Sequence, residues 1–326
     1  MTESVRRNDK WATKNENMKG RIIMNKSGLR NIIWVMAFMA VFLGFRGDIC
    51  EAAEKKEFVL CYLPSEAADQ YKEARSQLSD ALSEAIGMKV VEVNTTDFIG
   101  TVEVMRTGKA DMALFGPLTY AQALKRVAVE PLVVYANNAD KSQSTYVSYL
   151  VANAKDDSIR SIKDIKGKVM AFADPNSTSG NLVPSYEIIK AFPEEKLTMD
   201  DLHLNGVFFE SVFFSGAQKA GLQAVANGDV DLVPAASMTF DGEMRVGNIS
   251  GETVKIIHSS NPIPGSPWTI RSALDPELKR KVKEFLIAYN NEAYFDQFHG
   301  SPTGRYLECS PEEYRDIIEL NDLLQP

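Results

Sequence analysis

The chain has 326 residues, 25% of them charged and 44% hydrophobic, an ordinary globular composition that excludes wholesale disorder and collagen-like repetition. At roughly 100–200 residues per domain, the length suggests about two domains. The net charge of −8 excludes the clustered basic surface needed to grip a nucleic-acid backbone.

The first element is one long apolar run, Ile32 to Phe45. As a helix it would reach about 21 Å, short of the ~30 Å hydrocarbon core. Lys26 and Arg30 precede it, and Cys50-Glu51-Ala52-Ala53 follows. This is the layout of a secretory signal peptide, with an uncleaved anchor as the alternative. The acidic Asp48 just before Cys50 departs from the small apolar residues expected ahead of a lipidated cysteine. Met24 would start a signal peptide of more usual length. Residues 1–53 are therefore set aside as N-terminal extension and signal peptide, and the mature protein is expected in the periplasm, or tethered to the membrane if the anchor is kept. Those residues hold nine of the 36 basic and five of the 44 acidic side chains, which leaves 27 against 39, a net charge of −12. Cys61 and Cys309 remain; they either pair or, as Cys61's apolar strand favours, act as small buried hydrophobes.

Phe58–Leu63 reads as a buried strand. Ser65 opens a helix carrying Leu78, Leu82 and Ile86 at helical spacing, closed by Gly87. Strands are expected at Lys89–Val93, Asp111–Phe115 and Leu132–Tyr135, with helices at Phe98–Met105 and from Gly116-Pro117 to Leu124. This βαβαβ alternation argues for a parallel sheet with helices on both faces. Tyr146–Val151 is a longer strand. A second cycle follows: Ile162–Ile165, a strand at Lys168–Ala173, a loop, a helix through Ile189, apolar segments at 207–209 and 212–214, a helix over Ala217–Ala226, and strands at Val230–Val233 and Val254–Ile257. Helices at 276–289 and 311–324 close the chain, packing back on the first lobe.

The two halves repeat one unit, an apolar helix, X-Gly-X, an apolar residue, Asp and an apolar strand, at Met105–Asp111 and again at Val225–Asp231. This predicts an α/β fold of two Rossmann-like lobes. Residues 54–150 with 254–326 make the first lobe and 151–253 the second, joined by a two-strand hinge with crossings near 149–153 and 246–255.

The three histidines, at 203, 258 and 299, share no metal-ligand spacing, and no CxxC, HExxH, GxSxG or GxxxxGK motif occurs. The informative segment is Phe172–Tyr186. A strand ends at Ala173, Asp174-Pro175 turns the chain, and Ser177-Thr178-Ser179-Gly180 leads into a helix. Hydroxyls beside the unpartnered N–H groups of a helix N-terminus form an anion site. A plain helix cap is the alternative, for which one hydroxyl suffices. Thr119 and Tyr120, just past a strand's C-terminal end, are outer candidates for ligand contact.

The run DPNSTSG-x-LVP-x-Y resembles the signature loop of the phosphonate- and phosphite-binding proteins of ABC importers, the PhnD-like family. Asp97–Gly100 through Asp111, Phe115–Leu118, Gln223–Asp231 and Pro262–Trp268 resemble further blocks of that family in order, over about residues 57–290. The resemblance implies a type II periplasmic-binding-protein fold with ligand clamped between the lobes. It implies that Ser177, Thr178 and Ser179 bind the phosphonate group and that Tyr146 donates to it. It also exposes four departures. Phe98 stands where the family has a second donor tyrosine, and Gln218 where it has a histidine. Met238 and Ser266 stand where aminoalkylphosphonate binders carry acidic residues. An ammonium buried without a counter-charge costs several kcal/mol, so aminoalkylphosphonates are expected to bind poorly. Taken without the resemblance, Tyr146 is also compatible with a core aromatic, Gln218 with a solvated helix residue, and Met238 with plain packing.

The expected function is capture of a small tetrahedral oxyanion (phosphonate, phosphite or phosphate) by an exported, monomeric solute-binding protein. It needs no cofactor or metal, contacts no nucleic acid and delivers its ligand to an ABC permease. A ligand-sensing module docking on a membrane receptor or kinase is the alternative. An enzyme would need a general base beside the anion loop, which Gln218 does not supply.

Overall fold

The computed structural model describes residues 57–65 and 69–324, so the N-terminal extension, the signal peptide and Cys50 expected from the sequence lie outside the described residues. In chain order the first strands and helices are β1 (Glu57–Cys61), α1 (Lys72–Ile86), β2 (Lys89–Val93), α2 (Phe98–Arg106), β3 (Met112–Leu114), α3 (Pro117–Leu124) and β4 (Val129–Ala136). After β5 (Thr145–Tyr146) come β6 (Ser148–Asn153), β7 (Val169–Phe172), α4 (Val183–Ala191), α5 (Met199–His203), β8 (Ser211–Phe214), α6 (Gln218–Asn227), β9 (Leu232–Ala236), α7 (Ser237–Arg245) and β10 (Val254–Ser259). The chain finishes with β11 (Ile263–Pro264), β12 (Pro267–Arg271), α8 (Pro276–Ala288), α9 (Glu292–His299), β13 (Arg305–Glu308) and α10 (Arg315–Leu324).

The strands form a six-stranded sheet, β13-β4-β12-β3-β1-β2, a five-stranded sheet, β10-β6-β9-β7-β8, and a two-stranded ribbon, β11-β5. Each large sheet packs against apolar clusters of its own. Helix α1 shows how the pattern works: Ala74, Leu78, Leu82 and Ile86 are buried on one stripe, and Gly87 ends the helix at φ 69°, where a side chain would be strained. It starts at Lys72, later than the Ser65 start expected, and Tyr71 precedes it with no side-chain cap.

The parallel sheet that the βαβαβ alternation suggests is in both cases a mixed one. β1, β2 and β3 pair parallel, as do β7, β8 and β9, but β12 runs antiparallel to both β3 and β4, and β6 antiparallel to β9 and β10. The physical reason is the crossover. In chain order β6 comes before every other strand of its sheet and β12 inserts between β3 and β4; each follows a connection that passes between the two sheets, and such a connection need not restore the direction of a βαβ unit. β12, β13, α7 and α9 carry no expectation from the sequence. β12 is short and begins at a proline, and β13 is paired only along one edge. Both β6, which straddles 150/151, and β10, which begins just past 253/254, belong to the five-stranded sheet. In chain order the β5–β11 ribbon stands between the sheets, pairing Tyr146 with Ile263.

The repeated X-Gly-X-apolar-Asp unit does the same job twice. Gly108 and Gly228 take positive φ at the helix ends, 73° and 83°. Asp111 then accepts a hydrogen bond from the Val59 amide of β1, and Asp231 from the Val169 amide of β7, each at 2.8 Å. Cys61 and Cys309 are free thiols, not joined in a disulfide, and are buried in one apolar cluster. Burial pushes their thiols up, to about 11 and about 12.

Candidate functional site

The loop after β7 is built by its own side chains. Ser177 is the helix cap, with its Oγ accepting from the Gly180 amide at 3.0 Å. A single wide turn over Thr178–Leu182 follows and runs into α4. Gly180 is required there: a Cβ would lie 2.5 Å from the Ala173 Cβ and 2.8 Å from Ser177 Oγ. With Gly180's N–H capped, the first-turn N–H groups of Thr178 and Ser179 are the positive end of the helix. Ser177, Thr178 and Ser179 are all buried, 2–3% exposed, so their hydroxyls are shielded from bulk water.

A second helix start meets this loop from the other lobe. Gly116 and Pro117 open α3 directly after β3. The Leu118 amide donates to Thr178 Oγ1 at 2.9 Å. A Cβ placed on Gly116 would lie 3.5 Å from Thr178 Oγ1 and 3.7 Å from Thr119 Oγ1, which puts both hydroxyls beside one glycine. Thr119 is fully buried and its Oγ1 has no hydrogen-bond partner. A buried hydroxyl without a partner costs free energy unless something else occupies its position. Gln122 Nε2, one turn along α3, donates to Asn176 Oδ1 at 2.9 Å.

Gln218 opens α6 and bridges two elements. Its Oε1 accepts from the Ala236 amide at the end of β9, 2.8 Å, and its Nε2 donates to Ser179 Oγ, 3.0 Å. This side chain is not merely solvated. Ser148 Oγ, on β6, donates to the Ser179 carbonyl at 2.7 Å. Thus Ser177, Thr178, Ser179, Thr119 and Gln218 are gathered in one place.

Phe98 opens α2, close to Asp174, whose carboxylate accepts from the Asn176 amide at 2.7 Å. Burial, with Asp97 adding, raises the Asp174 carboxyl above the usual range against the pull of the Asn176 and Phe98 amides. Asp97 itself caps α2 through Gly100. Tyr146 is half-buried on the ribbon and packs against the cluster of Leu118, Leu182 and Ile263. Ser266 is half-buried in the turn between β11 and β12. Tyr120 points into the first lobe's core, 5.0 Å from Tyr314 edge to face, with its hydroxyl pushed up to about 12 by burial. Met238 is 51% exposed on the first turn of α7.

The sequence reading missed the layer behind the loop. Asn181 Nδ2 donates to the Pro175 carbonyl at 2.8 Å, while His203 Nε2 and Asn181 Oδ1 are 2.8 Å apart. His203 stands edge-on to both Phe172 and Phe214, and burial lowers its pKa. Asn181 lay within the motif, but nothing near His203 in sequence announced the contact. Further long-range contacts lie between segments far apart in sequence: Lys219 over the Tyr71 ring at 5.5 Å, and Arg245 Nη1 donating to the Gly300 carbonyl at 3.2 Å. No helix among the described residues is long and apolar enough to cross a membrane.

Comparison with known proteins agrees with this architecture. Residues 60–314 match the family model of the periplasmic substrate-binding proteins of ABC phosphonate transporters. The chain is 31% identical over 265 residues to the phosphate-import protein PhnD of Mycolicibacterium smegmatis, covering 81% of each chain. It is 29% identical to the phosphonates-binding periplasmic protein of Escherichia coli, covering 73% of this chain and 68% of that one. Among solved structures, the binding protein of an ABC phosphonate transporter from Pseudomonas aeruginosa superposes with a TM-score of 0.70 at 24% identity, over 82% of this chain and 86% of that one. A PhnD protein of Prochlorococcus marinus in complex with methylphosphonate gives the same TM-score at 18% identity, over 82% and 98%. The fold is therefore that of the type II periplasmic binding proteins, and the chain belongs to the family of phosphonate periplasmic substrate-binding proteins of ABC transporters.

Proposed function

We propose that this protein captures a small tetrahedral oxyanion (phosphite, phosphate or a simple phosphonate) between its lobes and delivers it to the membrane permease of an ABC importer. One observation carries the reading. Two helix starts from different lobes converge on one hydroxyl cluster, where the Leu118 amide of α3 reaches Thr178 Oγ1 and Thr119 Oγ1 is buried without a partner. Helix N-termini favour anions, and charge-assisted hydrogen bonds to them contribute about 1.5–3 kcal/mol each. Thr178 and Ser179 bind through hydroxyl and N–H, Ser177 holds the turn, and Thr119 and Tyr146 approach from outside the loop. Gln218 acts through Ser179. Phe98 and Ser266 line the cleft without supplying charge, and Tyr120 supports α3 from the core.

Strand pairing favours lobe limits at 147/148 and 259/260, with the ribbon as the hinge. The cross-lobe bonds are those of a closed state. Neither Met238 nor Ser266 supplies a carboxylate, and Asp97 and Asp174 are engaged as caps. Aminoalkylphosphonates accordingly bind weakly, as an unpaired ammonium would.

Calorimetric titration with phosphite, phosphate, methylphosphonate and 2-aminoethylphosphonate tests this. One of the first three binds with a Kd of about 1 μM or tighter, close to −8 kcal/mol. The double substitution Thr178→Ala/Ser179→Ala weakens it more than about 100-fold, since two charge-assisted bonds are lost. Absence of binding by all four overturns the reading. Tight binding of the aminoalkyl compound overturns the argument from the missing carboxylates. Trp268 is fully buried against Tyr62, ring centroids 5.1 Å apart, so calorimetry is the primary readout and fluorescence secondary.

A further inference from the structure

The turn that presents Thr178 and Ser179 is one residue wider than an α-turn. The Leu182 amide reaches back to the Ser177 carbonyl at 3.1 Å, and the Val183 amide to the Thr178 carbonyl. Tightening by one residue would give the segment the regular bonds of the α-helix that follows, so the wide form persists only where side chains hold it. Asn181 supplies the hold. It lies inside the turn, is fully buried, and sends its Nδ2 back to the Pro175 carbonyl at 2.8 Å. The turn is thereby tied to the chain that leads into it.

The protons on this hold follow from what each partner can do. The Pro175 carbonyl can only accept, so the Asn181 atom facing it is the amide nitrogen, and Oδ1 faces the other way. There Oδ1 meets His203 Nε2 at 2.8 Å and the Ser185 hydroxyl at 3.4 Å. Oδ1 can only accept, so His203 Nε2 carries a hydrogen. Burial lowers the His203 pKa, which favours the neutral ring, with its one hydrogen on Nε2. Packing aims the ring. It stands edge-on to Phe172 at the end of β7 and to Phe214 at the end of β8, with centroids 5.1 Å from each. A capping box between Thr198 and Asp201 fixes the start of α5, which carries His203 in its last turn.

Resting on the oxyanion reading above, we propose that His203 is a positioning residue for the oxyanion site: acting through Asn181, it locks the wide turn in the form that presents the Thr178 and Ser179 hydroxyls. Its work is done before the ligand arrives. Without the Nε2 donor, Asn181 Oδ1 keeps only the long bond from Ser185, the amide is free to turn, and the segment spends part of its time tightened. The apparent dissociation constant then rises by the inverse of the fraction of molecules that keep the competent turn. A buried acceptor deprived of its better partner makes this a loss of about tenfold.

The test is calorimetric titration with phosphite, phosphate and methylphosphonate, comparing the wild type with two variants. His203→Phe keeps an aromatic ring between Phe172 and Phe214 but has no donor. His203→Gln keeps a donor that reaches Asn181. His203→Phe is expected to weaken binding about tenfold, and His203→Gln to stay within about threefold of the wild type. Asn181→Ala is expected to weaken binding at least as much as His203→Phe, and the double variant no more than Asn181→Ala alone, because His203 acts through that side chain. A merely structural role would lower the melting temperature of His203→Phe and leave its dissociation constant unchanged, which overturns the proposal. Losses that simply add in the double variant overturn it too, as does binding by His203→Gln as weak as that of His203→Phe. One arm needs no variant to fold: imidazole nitrogen NMR shifts of wild-type His203 are expected to show the neutral Nε2–H tautomer, and the Nδ1–H tautomer overturns the proposal. Binding of none of the three anions to the wild type is the separate failure of the oxyanion reading.

Discussion

The two lobes repeat one frame, and the candidate site lies where they stop repeating. In each sheet the strand next to one edge, β1 or β7, has a parallel neighbour on either side, and an antiparallel strand, β12 or β6, follows on the side away from that edge. In each, an aspartate after a left-handed glycine accepts from that strand's amide, Asp111 from Val59 and Asp231 from Val169. The helix that follows differs. After β1, α1 begins behind Tyr71 with no side-chain cap. After β7, the chain spends Ser177, Thr178, Ser179 and Gly180 on a wide, capped, buried turn. A helix follows this strand in both halves, and after β7 its start carries a run of buried hydroxyls. The first lobe contributes instead through α3, whose Leu118 amide and Gln122 side chain meet that turn. Fold and site are thus separable: the repeat sets the scaffold, and local departures from it set the chemistry.

The largest expected effect breaks the symmetry of the two aspartates. Asp111 is fully buried and also faces Arg271 Nη2 at 3.4 Å, whereas Asp231 is only partly buried. Removing one partner of a buried ion pair costs about 3–5 kcal/mol, and leaving one amide unsatisfied about 1–3 kcal/mol. Asp111→Ala is therefore expected to destabilise more than Asp231→Ala by about 2 kcal/mol in urea unfolding. Equal losses would mean that Arg271 contributes nothing and that the two units are energetically as alike as their sequences.

Acid sensitivity should also divide between the lobes. His299, in the first lobe, stacks on Tyr135 at 3.9 Å and lies 3.1 Å from the Tyr306 hydroxyl. Burial pushes its pKa down to about 3. Its folded value lies below the ordinary ~6.5, so the unfolded chain binds the proton first. Stability is then full above pH 6.5 and falls as the pH drops from 6.5 toward about 3. A wholly enclosed group would give a slope of about 1.4 kcal/mol per pH unit. His299 is partly buried as a residue, so its slope is expected to be smaller. His203, in the second lobe, is shifted in the same direction, also by burial. His299→Gln should flatten the stability profile between about pH 6.5 and 4 more than His203→Gln does. The reverse order would place the acid-labile point behind the anion loop.

What the sequence made legible follows from what is local. The turn at Ser177–Gly180 was readable because its cap, hydroxyls and glycine are adjacent, and the repeated Asp units because each lies within seven residues. β12 was not, since a five-residue strand beginning at a proline becomes a strand only by lying between β3 and β4. Nor was the role of Gln218 legible: its amide is oriented by Ala236, eighteen residues away, and a helix-start glutamine has no pattern of its own. His203 and Asn181 meet across α5 and the loop, a contact only tertiary packing creates.

The smallest expected effect concerns the contact that joins the two unlike helix starts. Gln122 Nε2 and Asn176 Oδ1 are 2.9 Å apart, with both side chains partly exposed. Such a neutral pair contributes about 0.5–1.5 kcal/mol net. It bridges α3, after β3 of the six-stranded sheet, to the loop after β7 of the five-stranded sheet, so in the proposed closing motion it would form only on closure. Gln122→Ala should therefore weaken oxyanion binding about 3- to 10-fold through a faster off-rate, because closure is less favoured while the donors around the ligand are untouched. Unfolding of the ligand-free protein should change by less than the affinity does, since an open molecule never makes the bond. Stopped-flow dissociation together with urea unfolding separates the two. A stability loss as large as the affinity loss would mean that the lobes are already held together without ligand, and the contrast between an armed and an unarmed helix start would then belong to a rigid cleft and not to a closing one.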